Sequence, residues 1–194
     1  MTKKLTDLSL EDLWELFPVK LESFNPLWKN WFEEEKRCII TTVGKENIER
    51  INHIGSTSVE GLTAKPTIDI LLEITSECDI DKLRKNLEDI DYILEYQPQK
   101  VAPHLMGMKG YTINGFAERV FHLHIRYAGD WKELYFRDYL RENPTVATKY
   151  VELKTELKKK YEHDRDKYTD EKHNFVEKYS LVAMHEFPGR YLTK

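Results

Sequence analysis

Residues 67–74 constrain the fold more than any other segment, because they are almost continuously apolar yet contain one aspartate, Asp69. An apolar run of this length is typical of a strand that is buried on both faces of a sheet. A buried aspartate is rare unless it is paired, hydrogen-bonded or bound to a metal. The segment therefore predicts a central strand that carries a functional carboxylate.

The residues before this strand form a turn suited to phosphate. Residues 53–59, with the sequence HIGSTSV, are typical of a strand end, a glycine turn and the start of a short helix. Gly55 would let the backbone approach a phosphate, and helix N–H groups would point at it. Asp69 would supply a hard oxygen ligand for a divalent cation. Together the two parts predict a phosphate-and-metal site.

Several side chains near the turn are further candidates for ligand contact. Ser56, Thr57 and Ser58 offer hydroxyl and N–H groups, which suit phosphate binding, helix capping or both. Ser56 is not predicted to be a hydrolase nucleophile, because no G-x-S-x-G elbow surrounds it. Lys65 would hold a phosphate or be a surface lysine. His53 would orient the turn, touch a substrate or make a structural hydrogen bond.

A later segment, residues 121–127, alternates like a strand and places His122, His124 and Arg126 on one face. If this strand lies beside the Asp69 strand, an aspartate with one or two histidines becomes a credible set of metal ligands. Imidazole suits Zn or Mn better than Mg. The alternatives are contact with a phosphorylated substrate, or a solvated strand face.

The chain after residue 129 changes to a helical pattern with many lysines and arginines interspersed with acids. Mixed signs favour a solvated helical face. The alternative is that a few of these cations, above all Lys149 and Lys172, close over the phosphates of a nucleotide.

Periodicity and turn signals predict the elements of an α/β fold with a helical C-terminal part. A capping pattern at Ser9 and Asp12, and a glycine at position 44, mark two helix ends. A turn at residues 109–110 would make a hairpin, and Asn114-Gly115 is a second turn signal. Helices are predicted at 10–17, 25–44, 79–90, 131–142, 146–163 and 170–187, and strands at 48–54, 67–74, 92–96, 104–108, 111–113 and 119–127.

Bulk properties narrow the class of protein. A length of 194 residues predicts one domain, with an α/β core at about 20–128 and a helical subdomain at 129–190 packed on it. The net charge of −4 gives no strong nucleic-acid signal. Cys38 and Cys78 form no C-x-x-C pair, which favours reduced thiols. We find no apolar run long enough to span a bilayer and no signal peptide, so the expected location is the cytoplasm.

Three segments give the chain a resemblance to the GrpB family of bacterial proteins and, more broadly, to the nucleotidyltransferase superfamily. The first is HIGSTSV at 53–59 with GL, AKP and IDI at 61–62, 64–66 and 68–70. The second is FHLH at 121–124. The third is FRDYLRENP at 136–144, followed by Tyr150, Leu153, Lys154 and Leu157 and by KHNFV at 172–176.

The resemblance implies a nucleotidyltransferase-like mixed β-sheet flanked by helices. It also implies a nucleotide held at the Gly55-Ser56 turn, a divalent metal (Mg or Mn, with Zn as an alternative) at Asp69, and transfer of a nucleotidyl group to an acceptor that the sequence does not identify. The superfamily pattern has a second acid at the position of Leu71, so this chain departs from it. Glu73 has the same strand parity but lies about 13 Å further along, at roughly 3.3 Å per residue.

Two other functions remain open on these residues. A non-catalytic module would keep the pocket and bind a ligand or assist a partner, and Leu71 favours that interpretation. A metal-dependent hydrolase would use Asp69 with His122 and His124 around a water-activating ion, and the histidine pair favours that one.

Overall fold

The computed structural model describes residues 5–192 and contains a mixed sheet of five strands in the order β1-β2-β5-β4-β3. Parallel pairing is confined to β2 and β5, and the other neighbours are antiparallel. The strands are β1 Ile48–Ile54, β2 Thr67–Ile74, β3 Ile93–Tyr96, β4 Leu105–Thr112 and β5 Gly115–Tyr127. The helices of the described residues are α1 Leu10–Leu16, α2 Leu27–Val43, α3 Ile80–Glu88, α4 Lys132–Glu142, α5 Pro144–Tyr161 and α6 Arg165–Glu186. The predicted α/β fold class is confirmed.

The central position of β2 explains its apolar sequence. Ile68, Ile70 and Leu72 are fully buried on the face that packs against α2 and α3. Leu71 is equally buried on the opposite face, where it contacts Leu134 of α4. Burial on both faces leaves Asp69 as the partly exposed residue within this strand.

Two helix ends follow the predicted local signals, and one helix begins earlier than predicted. Ser9 and Asp12 form a reciprocal capping box, in which each side chain accepts a hydrogen bond from the other residue's backbone N–H. Gly44 ends α2 with a φ of +88°, a conformation that favours glycine. Asp164 caps α6, which therefore begins at Arg165, five residues before the predicted start.

The predicted hairpin turn at residues 109–110 is wrong. The strand β4 continues through Lys109 and Gly110, and the ladder to β5 shifts register there instead. Gly110 has a φ of +90°, and a Cβ at this position would lie 2.2 Å from the Arg119 carbonyl oxygen. The glycine therefore marks a bulge rather than a turn. The second signal, Asn114-Gly115, does connect β4 to β5.

The helices α4, α5 and α6 cover the face of the sheet opposite to α2 and α3. Their shared core includes Phe136, Leu140 and Tyr150, and it also takes up Val59 and Leu62 from the loop after β1. This packing brings α5 and α6 against the segment that follows the Gly-Ser turn. Of the helices formed by residues 5–192, none combines the length and apolar composition that crossing a bilayer requires.

Candidate functional site

The parallel register of β2 and β5 brings Asp69 and two histidines together. Asp69 lies opposite His122, and the next residue on that face of β5 is His124. One oxygen, Asp69 Oδ1, lies 3.4 Å from His122 Nδ1 and 3.6 Å from His124 Nε2. The Asp69 side chain keeps 28% of its surface exposed. This trio, which we call the Asp69 cluster, is thus open to a ligand.

Position 55 requires glycine because the Asp69 side chain lies against it. Its φ of +67° lies in the left-handed region, and a Cβ there would lie 2.3 Å from Asp69 Oδ2. The glycine therefore allows the turn to approach the carboxylate as closely as it does.

A series of hydrogen bonds links His122 of the Asp69 cluster to Tyr111 and Arg165. Arg165 Nη2 donates to the Tyr111 hydroxyl over 2.8 Å, and that hydroxyl lies 2.7 Å from His122 Nε2. The Tyr111 and His122 rings are also stacked. Arg165 lies on α6 and Tyr111 lies on β4, so these hydrogen bonds connect the helical layer to the Asp69 cluster.

The surroundings fix the charge of the cluster. Burial opposes ionisation of Asp69, but hydrogen bonds from His122 and His124 prevail and hold the pKa of its carboxyl well below the usual range. Burial lowers the pKa of His122, although Asp69 partly offsets this. At neutral pH the cluster is a carboxylate beside a neutral His122.

Four cationic side chains interact electrostatically with one another, and two of them, Lys65 and Lys172, also interact with Asp69. Lys172 Nζ lies 4.3 Å and Lys65 Nζ 5.5 Å from the centre of the same ring, that of Tyr168. Lys154 Nζ donates to Ser56 Oγ over 3.2 Å and to the Thr63 carbonyl. Arg165 is the fourth cation. Within residues 5–192, none of the four has a carboxylate oxygen within 4 Å.

Burial, together with neighbouring positive charges, lowers the pKa values of the three lysines. Burial lowers the pKa of Lys154 to about 7, with Lys172 adding to the effect. Burial also lowers the pKa of Lys172 to about 8. The negative charge of Asp69 raises this pKa, and the positive charge of Arg165 lowers it. The pKa of Lys65 is also lowered, first by burial and then by the positive charges of Lys172 and Arg165. We call the region formed by Asp69, Ser56 and these four side chains the pocket. It contains more basic groups than its single carboxylate balances.

The other residues of the turn are engaged in structural hydrogen bonds. Thr57 Oγ1 donates to the Thr67 carbonyl and lies 3.0 Å from His53 Nε2. His53 stacks on Phe32 on the opposite face of the sheet from Asp69, and burial lowers its pKa to about 4. Ser58 Oγ donates to the Gly55 carbonyl over 2.6 Å. Of the three predicted hydroxyls, Ser56 is the one that faces a pocket cation.

Two predicted phosphate ligands lie outside this pocket. Arg126 is buried further along β5, where its Nη1 donates to the Ile125 carbonyl and its guanidinium lies over Trp131. Lys149 is exposed on α5. Five residues turn the helix by about 140°, so Lys154 occupies the buried side that Lys149 does not.

Sequence reasoning missed Lys154, Arg165 and Tyr111 as site residues. One signal for Lys154 was available, because Tyr150, Lys154 and Leu157 follow the spacing of a buried helix face. The structure buries all three. Tyr111 and Arg165 reach the site only through the tertiary packing of β4 and α6.

The Asp69 cluster is not a complete metal site by itself. Among residues 5–192, no group of three His, Cys, Asp or Glu side chains is arranged to hold a metal ion. The partly exposed Asp69 carboxylate does suit the way Mg is bound, through one or two carboxylates together with substrate phosphates and water. The residues therefore fit a metal that arrives with a phosphorylated ligand.

Two cavities flank this region. One of about 200 Å³ is lined by Lys65, Arg165 and Phe116. A wider groove of about 820 Å³ runs along the edge strand β1, between α2 and α4, and Arg137 and Arg141 lie in its wall. The smaller cavity adjoins the pocket cations.

The fold and the site thus define an α/β protein whose mixed sheet carries a carboxylate–histidine cluster close to a group of cationic side chains. A family model described as GrpB protein matches residues 18–180, and the chain belongs to this family. The chain is 34% identical over 157 residues to the glutamate-rich protein GrpB of Alkalihalophilus pseudofirmus, covering 77% of this chain and 87% of that protein. It is 30% identical to the UPF0157 protein YqkA of Bacillus subtilis over 90% of this chain, but spans about half (51%) of that relative. The crystal structure of conserved protein GrpB from Enterococcus faecalis matches with a TM-score of 0.72 and 30% identity, covering 87% of this chain and 99% of that one.

Proposed function

We propose that the pocket beside Asp69 binds a phosphorylated small molecule, a nucleotide in the first instance, together with a divalent metal. The observation that carries this proposal is the set of four cations, Lys65, Lys154, Arg165 and Lys172, none of which is paired by a carboxylate of the described residues, 5–192. Confining such charges is costly, and a polyanion would offset the cost with charge-assisted hydrogen bonds.

Asp69 would hold the metal and the phosphates would complete its coordination. When bound, such an ion neutralises phosphate charge and helps to orient an attacking hydroxyl. The partly exposed Asp69 carboxylate and the cations on α5 and α6 support this arrangement. His122 and His124 would act as hydrogen-bond partners that keep Asp69 ionised.

Nucleotidyl transfer to an acceptor is the finer proposal. It is supported by the close approach of the Gly55 turn to Asp69, the arrangement expected of a triphosphate-binding turn. Leu71 weighs against it, because the position of the second acid lies in an apolar cluster with Ile54 and Leu134. A module that binds its ligand without turnover is therefore the alternative.

Calorimetry on the full chain tests the binding proposal. Pyrophosphate and the four common nucleoside triphosphates would be titrated with and without Mg or Mn. We expect Lys172→Met to weaken pyrophosphate binding by at least about tenfold, since a charge-assisted hydrogen bond is worth roughly 1.5–3 kcal/mol. Lys159→Met, at an exposed position of α5, is the matched control and should bind like the parent protein.

Asp69→Asn separates the metal from the phosphate. It should abolish the gain in affinity that Mg or Mn gives, while metal-free pyrophosphate binding persists. Labelled triphosphates then test transfer, since a label that stays on the nucleotide favours the binding module. If none of these anions binds the parent protein, the proposal is wrong.

A further inference from the structure

A serine and a buried lysine meet at the edge of the pocket, although they are distant in sequence. Lys154 of α5 is 2% exposed, and its Nζ lies 3.2 Å from Ser56 Oγ. Ser56 is partly exposed, directly after Gly55. A nucleophilic hydroxyl within hydrogen-bond reach of a base, with that base oriented by a third group, is the usual arrangement of an activated nucleophile.

Here the third group is the Thr63 carbonyl, which accepts a hydrogen bond from Lys154 Nζ. The ring of Tyr150 lies 4.6 Å from the same nitrogen. A carbonyl can only accept, so it takes one N–H of the amine. An uncharged amine in this position can turn its lone pair to Ser56 and accept the hydroxyl proton.

We propose that Ser56 is a nucleophile toward phosphoanhydrides and that Lys154 is its general base. The proposal rests on the proposed function for its substrate class. In the step, a Ser56 Oγ lone pair forms a bond to phosphorus and the bridging P–O bond breaks. The departing phosphate or pyrophosphate keeps that electron pair, and the hydroxyl proton passes to Lys154 Nζ. The product is a phosphorylated or nucleotidylated Ser56.

The charges that face Lys154 suit this role. Lys172 approaches from α6, Tyr150 lies on the same helix, and no carboxylate within 4 Å pairs with Lys154 in the part of the chain that the structure describes. Burial lowers the pKa of Lys154 to about 7, so a large fraction is uncharged at neutral pH. Serine–lysine pairs of this kind serve as nucleophile and base on unrelated folds.

A fluorophosphonate probe tests the pair without knowledge of the natural ligand, because it forms the same serine–phosphorus bond as fluoride leaves. We expect the folded protein to be labelled at Ser56, as mapped by peptide mass spectrometry, at a rate that rises through a transition near pH 7. Ser56→Ala should abolish labelling. Ser76→Ala and Lys159→Met, at exposed positions, should leave it unchanged.

Lys154→Arg is the decisive variant, because arginine keeps the positive charge but does not act as a base near neutral pH. It should lower the labelling rate by about 100-fold or more, the usual contribution of a general base. Lys154→Met provides a second variant if the arginine does not fit. Absence of labelling in the parent protein, labelling at another residue, or a rate that both Lys154 variants leave unchanged would overturn the proposal. Pyrophosphate calorimetry is independent of this chemistry, so the two proposals can fail separately.

Discussion

Asp69 and Glu73 lie on the same face of the same strand, four residues apart, yet their environments differ completely. Glu73 is fully buried and its two oxygens are matched from within the protein. Arg50 Nε donates to Oε2 over 2.9 Å, and the Gly129 N–H donates to Oε1 over 3.2 Å. Asp69 is partly exposed, and it interacts with lysines that form no ion pair with a carboxylate in the described part of the chain. A satisfied acid stabilises the fold, whereas an acid amid unbalanced cations is poised for a ligand.

The difference also shows what each acid holds together. Arg50 carries the Glu73 interaction onward to the carbonyls of Gly129 and Tyr191, so the ion pair fastens the chain after β5 and the C-terminal end to the sheet. The Asp69 cluster instead joins β2 and β5 to side chains from β4, α5 and α6. The first region is a structural clamp, and the second is a pocket built from many elements.

The largest effect is expected from breaking the clamp. Glu73→Gln keeps the shape but leaves the Arg50 charge without its partner, which should cost about 3 kcal/mol of unfolding free energy, at the low end for a buried pair because Arg50 is partly exposed. Urea denaturation measures this, with Glu77→Gln at an exposed position as the control. Asp69→Asn should cost less than half as much. Equal losses at the two acids would contradict the distinction between clamp and pocket.

A comparison of alanine substitutions at Gly55 and Gly61 separates the cost of backbone strain from the cost of the contact with Asp69. Both Gly55 and Gly61 have positive φ, but a Cβ at Gly55 would meet Asp69, whereas no atom of the described residues lies within 4 Å of a Cβ built at Gly61. Gly61→Ala should therefore cost about 1 kcal/mol and Gly55→Ala about 2 kcal/mol, because strain of this kind costs roughly 1–3 kcal/mol. Gly55→Ala should also weaken pyrophosphate binding. If the two variants unfold at the same urea concentration, the close approach to Asp69 has no energetic weight.

The pH dependence of stability should next distinguish the pocket, which contains two lysines with lowered pKa values, from the clamp. The pKa values of Lys154 and Lys172 are about 7 and 8 in the folded protein, below that of an unfolded lysine, 10.5. The unfolded chain then binds more protons than the folded protein between these values, so stability should rise between pH 7 and 9. Lys154→Met should flatten the rise and Lys159→Met should not. Since pyrophosphate binds the protonated lysines, its affinity should fall over the same range.

The sequence predicted the half of the site that depends on local pattern. The Gly55 turn, the apolar β2 strand with Asp69 and the histidines of β5 all follow from short-range alternation and glycine placement. The prediction that these residues lie close together needed one further assumption, that β2 and β5 are neighbours. The structure pairs the two strands in parallel register.

The cationic half was less predictable, because it depends on how helices pack. Lys149 and Lys154 look alike as sequence, and only the rotation of α5 decides which is buried. The turn predicted at Lys109-Gly110 failed for a related reason, since a glycine with positive φ serves a bulge as well as a turn. Because the bulge was not predicted, the position of Tyr111 beside His122 could not be predicted either.

The smallest effect should come from Tyr111, whose hydroxyl supports the Asp69 cluster from behind. Arginine only donates, so Arg165 leaves the phenol proton free to bond His122 Nε2, and the ring proton then sits on Nδ1, facing Asp69. Tyr111→Phe should cost about 1 kcal/mol, the usual worth of one hydrogen bond. It should also raise the share of the Nε2–H tautomer of His122, which nitrogen-15 NMR reports directly. Tyr96→Phe, at an exposed site on β3, is the matched control. If the His122 tautomer is the same in the parent protein and Tyr111→Phe, then Asp69 alone orients the ring, and the link from α6 to the pocket through Arg165 has no role in setting the cluster's protonation.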